Sequence, residues 1–345
     1  MSRGAGAKRA EIWTTLLETA IHAPSPHNVQ PWRVRVNSDR EADLFIDKER
    51  TLPKEDVTGS FIILTMGMFI EALGLLAAHR GMRLEHSLHH DPSRYTPEAI
   101  AATRETMLPF ARLRLSQDGA APPAYPGDLF LRRQTSRISL RPDPVPADAA
   151  HALARIANEW DQRYEAITDP SRIERILAWN TEALFDDLNA PDYHDEIVSW
   201  FRFTDGAARR HRDGLDYRCM NASRLEFFLI ARLPWLLHLR LTRPLLWKMY
   251  RDQIGRVPTL GLLAGGFWRP EDAFRTGRFL IHFWLETARH RLYIHPYGNL
   301  VTNKKANERM LQETGIRDIW LIFKIGRSDE PPRSYRRPVE AILLD

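Results

Sequence analysis

Hydrophobic positions along the chain follow two periods. Glu11–His22 carries its apolar residues at helical spacing, and Trp32–Val36 alternates apolar with arginine as a half-buried strand does. Gly67–Leu84 and Gly277–Ile294 have the apolar density of buried helices, and Phe110–Leu115 and Trp320–Ile325 read as strands. Gly67 and Gly277, Phe69 and Phe279, and Ala78 and Ala288 are identical pairs 210 positions apart, and the two strands keep that offset. A helix followed by a strand therefore recurs at one spacing. This predicts an α+β chain of two related halves, 1–130 and 131–345, each a long central helix under a mainly antiparallel sheet. In the second half Pro146–Trp160 reads as a helix, and Arg163–Ile167 as the strand matching Trp32–Val36.

Residues 190–256 have no counterpart in the first half and read as an insertion. It holds the apolar runs Leu225–Leu239 and Pro244–Tyr250, broken by Arg232, Pro234, Arg240 and Arg243. No run there reaches the roughly 20 residues that span a bilayer. A helical lid over a pocket is the preferred reading, with peripheral membrane contact by 225–250 as the alternative.

A chain of 345 residues, 43% of them hydrophobic, buries a large core as one large or two fused units. Its single cysteine, Cys219, excludes an internal disulfide and any cysteine-built metal site, which suits a reducing compartment. Met1–Ala20 lacks the apolar run of a signal sequence, so the expected location is cytoplasmic. The formal charge of +5 comes from arginines spread along the chain. Clusters such as Arg209–Arg212 come without a nucleic-acid motif and read as a solvated face, so no nucleic acid is expected; phosphate-bearing small molecules suit the balance. His86, His89, His90 and Asp91 read as a polar loop, and no metal is expected. A Gly-x-Ser-x-Gly elbow and a Gly-x-Gly-x-x-Gly dinucleotide fingerprint are both missing from the sequence.

Three segments carry chemistry. Ala23-Pro24-Ser25-Pro26-His27-Asn28-Val29-Gln30-Pro31-Trp32 joins the first helix to the first strand. Its prolines hold one extended path, so that the Ser25 and Asn28 side chains point in set directions, a rigid donor-rich turn suited to a planar heterocycle. Arg132-Arg133-Gln134-Thr135-Ser136-Arg137 places guanidinium forks beside small hydroxyls, a phosphate grip. Pro331–Val339 contributes Arg333, Arg336 and Arg337 near the C-terminus. A fourth stretch, Val257–Gly266, is a glycine-rich approach to the second central helix that would admit a close backbone contact.

The first of these segments resembles the signature loop of the FMN-dependent nitroreductase superfamily. The arginine segment resembles that superfamily's phosphate-binding motif, and Arg336 and Arg337, ahead of Arg333, its closing basic pair. The resemblance implies an FMN site to which Pro24, Ser25, His27, Asn28 and Gln30 contribute at the ring. Arg132, Arg133, Thr135, Ser136 and Arg137 would hold the phosphate and ribityl chain, Leu262, Leu263 and Ala264 would pass the N5 edge, and Arg336 and Arg337 would add positive charge.

The family's homodimers combine the loop of one subunit with the arginines of the other. This chain keeps the loop only in its first half and the arginines only in its second, as in the single-chain, fused, pseudo-dimeric branch. The resemblance thus implies one composite site per chain, in a monomer or a homodimer. It also implies that the flavin carries the chemistry, passing electrons from NAD(P)H to a small nitroaromatic, quinone or enone-like acceptor. The alternative is a non-catalytic FMN-storage protein with the flavin under the lid.

Overall fold

The computed structural model describes residues 3–237 and 239–345, which divide into two compact units. Met1 and Ser2 of the predicted N-terminal stretch and His238 of the predicted insertion lie outside the described residues. The first unit comprises the chain through Arg132, Phe267–Leu285 and Arg336–Asp345; the second comprises Arg133–Gly266 and Glu286–Tyr335.

In the first unit, the helix Arg3–Ala20 leads into β1 (Trp32–Val36), followed by β2 (Glu41–Asp47), β3 (Arg83–Leu88) and β4 (Met107–Ser116). The sheet runs β1-β2-β4-β3 in antiparallel pairs, and the C-terminal strand Leu343–Leu344 adds in parallel beside β1. The stretch read as a polar histidine loop begins inside β3, which contains His86.

The first central helix is Ser60–Ala78, earlier at both ends than the apolar density alone suggests. Its start is set by Asp56, whose carboxylate accepts from Phe61 N and Ile62 N at 3.1 and 2.8 Å, and by Gly59 in the left-handed region at φ 75°. Its end is set by Gly81 at φ 64°, with Met82 N donating to Ala77 O, so Leu84 already belongs to β3. The second central helix, Pro270–Arg289, ends in the same turn: Arg291 takes φ 57° and Leu292 N donates to Thr287 O. The 210-residue offset carries one turn onto the other.

The two helices cross inside the first unit at the repeated glycines. A Cβ on Gly67 would lie 2.4 Å from Phe274 O, and one on Gly277 would lie 2.1 Å from Leu64 O. Leu64 and Phe274 are themselves 210 positions apart, so the contact is reciprocal, as a two-fold between halves requires. Beside the crossing, Glu71 accepts from Arg278 Nε at 2.6 Å and meets His282 Nε2 at 2.9 Å. Among the described residues Ser60–Ala78 is also the one helix long and apolar enough to cross a membrane, and 72% of its apolar window is buried as core.

The second unit contains β5 (Gln162–Ile167), β6 (Phe201–Arg202), β7 (Leu215–Asp216), β8 (Leu260–Gly265), β9 (Tyr293–Pro296) and β10 (Ile319–Gly326). Its main sheet runs β5-β8-β10-β9, all antiparallel. Counted within each half, both sheets have the order first, second, fourth, third. The fold is α+β with the repeat expected from the sequence. The helix Ala147–Glu159 begins after Pro146, close to its predicted bounds.

Four helices, Pro191–Ser199, Asp205–His211, Arg224–Arg232 and Arg243–Ile254, and the parallel pair β6-β7 occupy the stretch read from the sequence as an insertion. It has its own core of Ile197, Phe201, Leu215, Phe227 and Ala231.

Candidate functional site

The first unit holds the proline-rich loop. Pro26–Asn28 forms one 3-10 turn, and His27, Asn28 and Gln30 sit at φ 47°, 55° and 53°. Three non-glycine residues in the left-handed region within four positions is a strained path, held only where neighbouring bonds over-determine it. Those bonds are visible. Gln30 N donates to Ser25 Oγ at 3.1 Å, Gln30 Nε2 to Asn28 O at 3.2 Å, and Arg50 Nη1 to Val29 O at 2.9 Å. Gln30 is fully buried, and its Oε1 accepts from Arg337 N at 2.8 Å. His27 Nε2 lies 3.0 Å from Glu55 Oε2.

The path is therefore coiled rather than the extended one expected from the prolines, and Ser25 and Gln30 are occupied in clasping it. Pro24 and Pro26 frame the turn without fixing it alone. Arg337 is buried, with Nη2 donating to Ala341 O at 2.6 Å, so it closes the C-terminal turn; Arg336 is half-buried and Arg333 is exposed, paired with Glu330 at 3.2 Å.

The arginine segment separates into members with different fates. Arg132 is exposed and pairs with Asp128 at 3.0 Å, whereas Arg133 is buried. Thr135 bridges Ile294 in parallel, and Ser136 is buried with its Oγ 2.9 Å from Ser328 Oγ. Arg132 ends the short helix Leu129–Arg132, one turn from Asp128, whereas Arg133 lies just beyond the helix end, which is what sends the two to different surroundings.

Arg137 enters a polar cluster within the second unit. Its Nη1 donates to Cys219 O at 3.1 Å, and its buried Nε has no hydrogen-bond partner. Near it lie Tyr250, Tyr297, His295 and Lys324, whose charges and dipoles act on one another. Lys324 is fully buried in β10 and donates to three carbonyls, Arg137 O, Ile138 O and Ile254 O, at 3.0, 2.9 and 2.9 Å. Burial, reinforced by Arg137, pushes the Lys324 ammonium down to about 7. Burial and the same two cations hold His295 well below the usual imidazole value, so it is neutral. Burial drives the Tyr297 hydroxyl well above the phenol range.

Among the described residues no carboxylate pairs with Arg137 or Lys324. Tyr297 OH, His295 Nδ1 and Asn180 Oδ1 are buried without hydrogen-bond partners, while Asn180 Nδ2 donates to Tyr250 OH at 3.2 Å. The half-buried Arg137, the buried Lys324 and a set of unsatisfied polar atoms are costly unless an anion with several oxygens is their partner.

Leu262, Leu263 and Ala264 lie in a paired strand. The glycine-rich approach is strand β8, hydrogen-bonded to β5 on one side and β10 on the other, and all three side chains are buried. Antiparallel pairing on both sides overrides the flexibility that the glycines suggest.

Lys324, His295, Tyr297 and Tyr250 were not among the sequence candidates. Lys324 did leave a signal: it is the one charge in the otherwise apolar strand Ile-Trp-Leu-Ile-Phe-Lys-Ile-Gly. Among the described residues, no three His, Cys, Asp or Glu side chains are grouped to hold a metal ion.

No family model matches the chain. A provisionally named NAD(P)H nitroreductase of Mycobacterium tuberculosis, Rv3131, is 28% identical over 192 residues, covering 55% of this chain and 51% of that protein. The chain resembles the nitroreductases. A second protein of that organism, likewise provisionally named NAD(P)H nitroreductase acg, is 27% identical over 196 residues, covering 55% of this chain and 54% of its own. The chain thus spans about half the length of the curated relatives it matches. Among solved structures, a provisionally described nitroreductase of Anabaena variabilis covers 94% of this chain and 88% of its own, with 10% identity and a TM-score of 0.47. The FMN-dependent nitroreductase NfnB of Mycobacterium smegmatis, solved with NADPH, covers 60% of this chain and 92% of its own, with 17% identity and a TM-score of 0.36.

Proposed function

We propose that the chain binds FMN and passes electrons from NAD(P)H to a small organic acceptor. The observation that carries this reading is the half-buried Arg137 beside the buried Lys324, with no carboxylate between them among the described residues. The donor set suits a phosphate monoester: a planar guanidinium, an ammonium, two phenols and a neutral imidazole. Arg137, with Tyr297 and Tyr250, would hold the phosphate. Lys324 would stabilise it through its field while its three protons anchor the arginine segment to Ile254 at the end of the insertion.

When bound, FMN supplies the hydride-transfer chemistry; the protein orients it and sets the charge around it. In the first unit, the clasped loop presents Asn28 and His27 at fixed angles. That loop enters the reading through its sequence resemblance alone, and so do NAD(P)H as donor and a nitroaromatic, quinone or enone-like compound as acceptor.

A second reading, storage of FMN without turnover, is favoured by one contact. Arg137 already donates to Cys219 O in the insertion, so the segment expected to act as a lid is tied to the phosphate grip.

Anaerobic visible spectra of the purified protein, before and after NADPH and NADH, separate these readings. A flavin band that bleaches within seconds supports the oxidoreductase, and one that persists supports storage. Arg137→Ala should weaken FMN binding about ten- to a hundredfold, since a hydrogen bond to a charged group contributes roughly 1.5–3 kcal/mol. Arg132→Ala, which removes an exposed pair, should leave it unchanged. Equal flavin retention by both variants would overturn the assignment of the phosphate grip.

A further inference from the structure

We infer that the outer face of the insertion, from Leu225 to Lys248, docks on the surface of an anionic phospholipid bilayer. The helix Arg224–Arg232 buries Phe227 and Ala231 against Ile197, Phe201 and Leu215, which completes the insertion's own core. Its opposite face should be polar, as on any surface helix. Instead Leu225 and Phe228 are 66% and 50% exposed, and Trp235 in the following turn is 55% exposed. In the next helix, Leu246 and Trp247 pack on Phe185 and Leu188, while Leu245 is 60% exposed and Leu241, in the preceding turn, 92%.

Six of the nine exposed large apolar side chains among the described residues, with Leu239 as the sixth, fall between Leu225 and Leu245. Scattered exposed leucines need no explanation, whereas a contiguous set marks a surface that meets something apolar.

Charge decides what that is. From Arg224 to Lys248 the sequence carries five basic residues against one carboxylate, Glu226, which is spent in a capping box with Ser223. Arg224 pairs with Asp205 and Lys248 with Asp252, which leaves Arg232, Arg240 and Arg243 as the basic residues that no carboxylate pairs among the described residues. A second copy of this face would bring like charges together. An anionic bilayer offers acyl chains to the leucines, phosphates to the arginines, and the headgroup boundary that suits Trp235. The combination of apolar anchors and basic residues is the two-signal arrangement that makes interfacial binding stable. The inference does not depend on flavin.

The test is co-sedimentation of the full chain with phosphatidylcholine vesicles with and without phosphatidylglycerol. Binding is expected to the phosphatidylglycerol vesicles and to weaken as salt is raised. Leu241→Ser with Leu245→Ser should lower the partition at least tenfold. Arg240→Glu with Arg243→Glu, which leaves every apolar residue in place, should do the same and guards against loss of fold in the first pair. Failure to pellet with phosphatidylglycerol vesicles, or partition unchanged in both variants, overturns the inference. So does a dimer in sedimentation velocity that the leucine pair dissolves, which would assign the face to a second copy.

Discussion

Lys324 shows how one residue can serve position and charge together. Three carbonyls surround an ammonium with three protons, so the contact is saturated. Yet burial and Arg137 lower its affinity for the proton to about 7. The unfolded chain binds that proton up to its ordinary value near 10.4. Between about 7 and that value the unfolded state holds more protons than the folded state, so stability must rise with pH over this window. Below 7 the full cost of the buried charge is present. Urea midpoints of wild type and Lys324→Met, compared at intervals from pH 6 to 10, should therefore diverge in favour of wild type as pH rises, whatever constant offset the lost bonds add. Parallel curves would show that the lysine does not titrate in the folded protein.

At the scale of elements, the 210-residue echo marked more than two similar helices. Gly67 and Gly277 are the two faces of one crossing, and no other side chain permits it: an added Cβ would lie 2.4 or 2.1 Å from a backbone oxygen. Gly67→Ala and Gly277→Ala should each cost roughly 1–3 kcal/mol or more, as overpacking of a tight interior does. Because both push apart the same two helices, the double variant should cost less than the sum. Thermal unfolding of the two singles and the double decides this, and strict additivity would mean the glycines do not share one contact. The crossing was readable because a repeat and a small residue coincide in sequence. The buried cluster was less so. Alternation placed Trp32–Val36 and the two long strands, but an apolar pattern cannot say which polar residue in a buried strand has partners. The strand in Val257–Gly266 was not legible for a related reason: its glycines suggest close backbone approach, while pairing with β5 and β10, decided by distant residues, makes it a strand. The loop's rigidity was legible from its prolines, but its clasp by Gln30 depends on Arg337, 307 positions away.

At the scale of the molecule, the units and the sequence halves differ in a way that governs folding. The chain passes between units four times, after Arg132, Gly266, Leu285 and Tyr335. The first unit draws its second helix from Phe267–Leu285 and its parallel edge strand from Arg336–Asp345. Without them, Ser60–Ala78 loses the partner to which Gly67 is fitted, Glu71 loses Arg278 and His282, and β1 loses Ile342 O as acceptor for Val34 N. A half-buried carboxylate without its cation and an exposed apolar helix are each destabilising. A fragment ending at Arg132 should therefore give no cooperative urea transition by far-UV circular dichroism, although its sheet order is complete but for the edge strand. Co-expression with residues 133–345 should restore one, since the missing pieces are then supplied in trans. A cooperative transition in the fragment alone would show that the first half carries its own core, and that the crossing at Gly67 and Gly277 was added to an already stable fold rather than required by it.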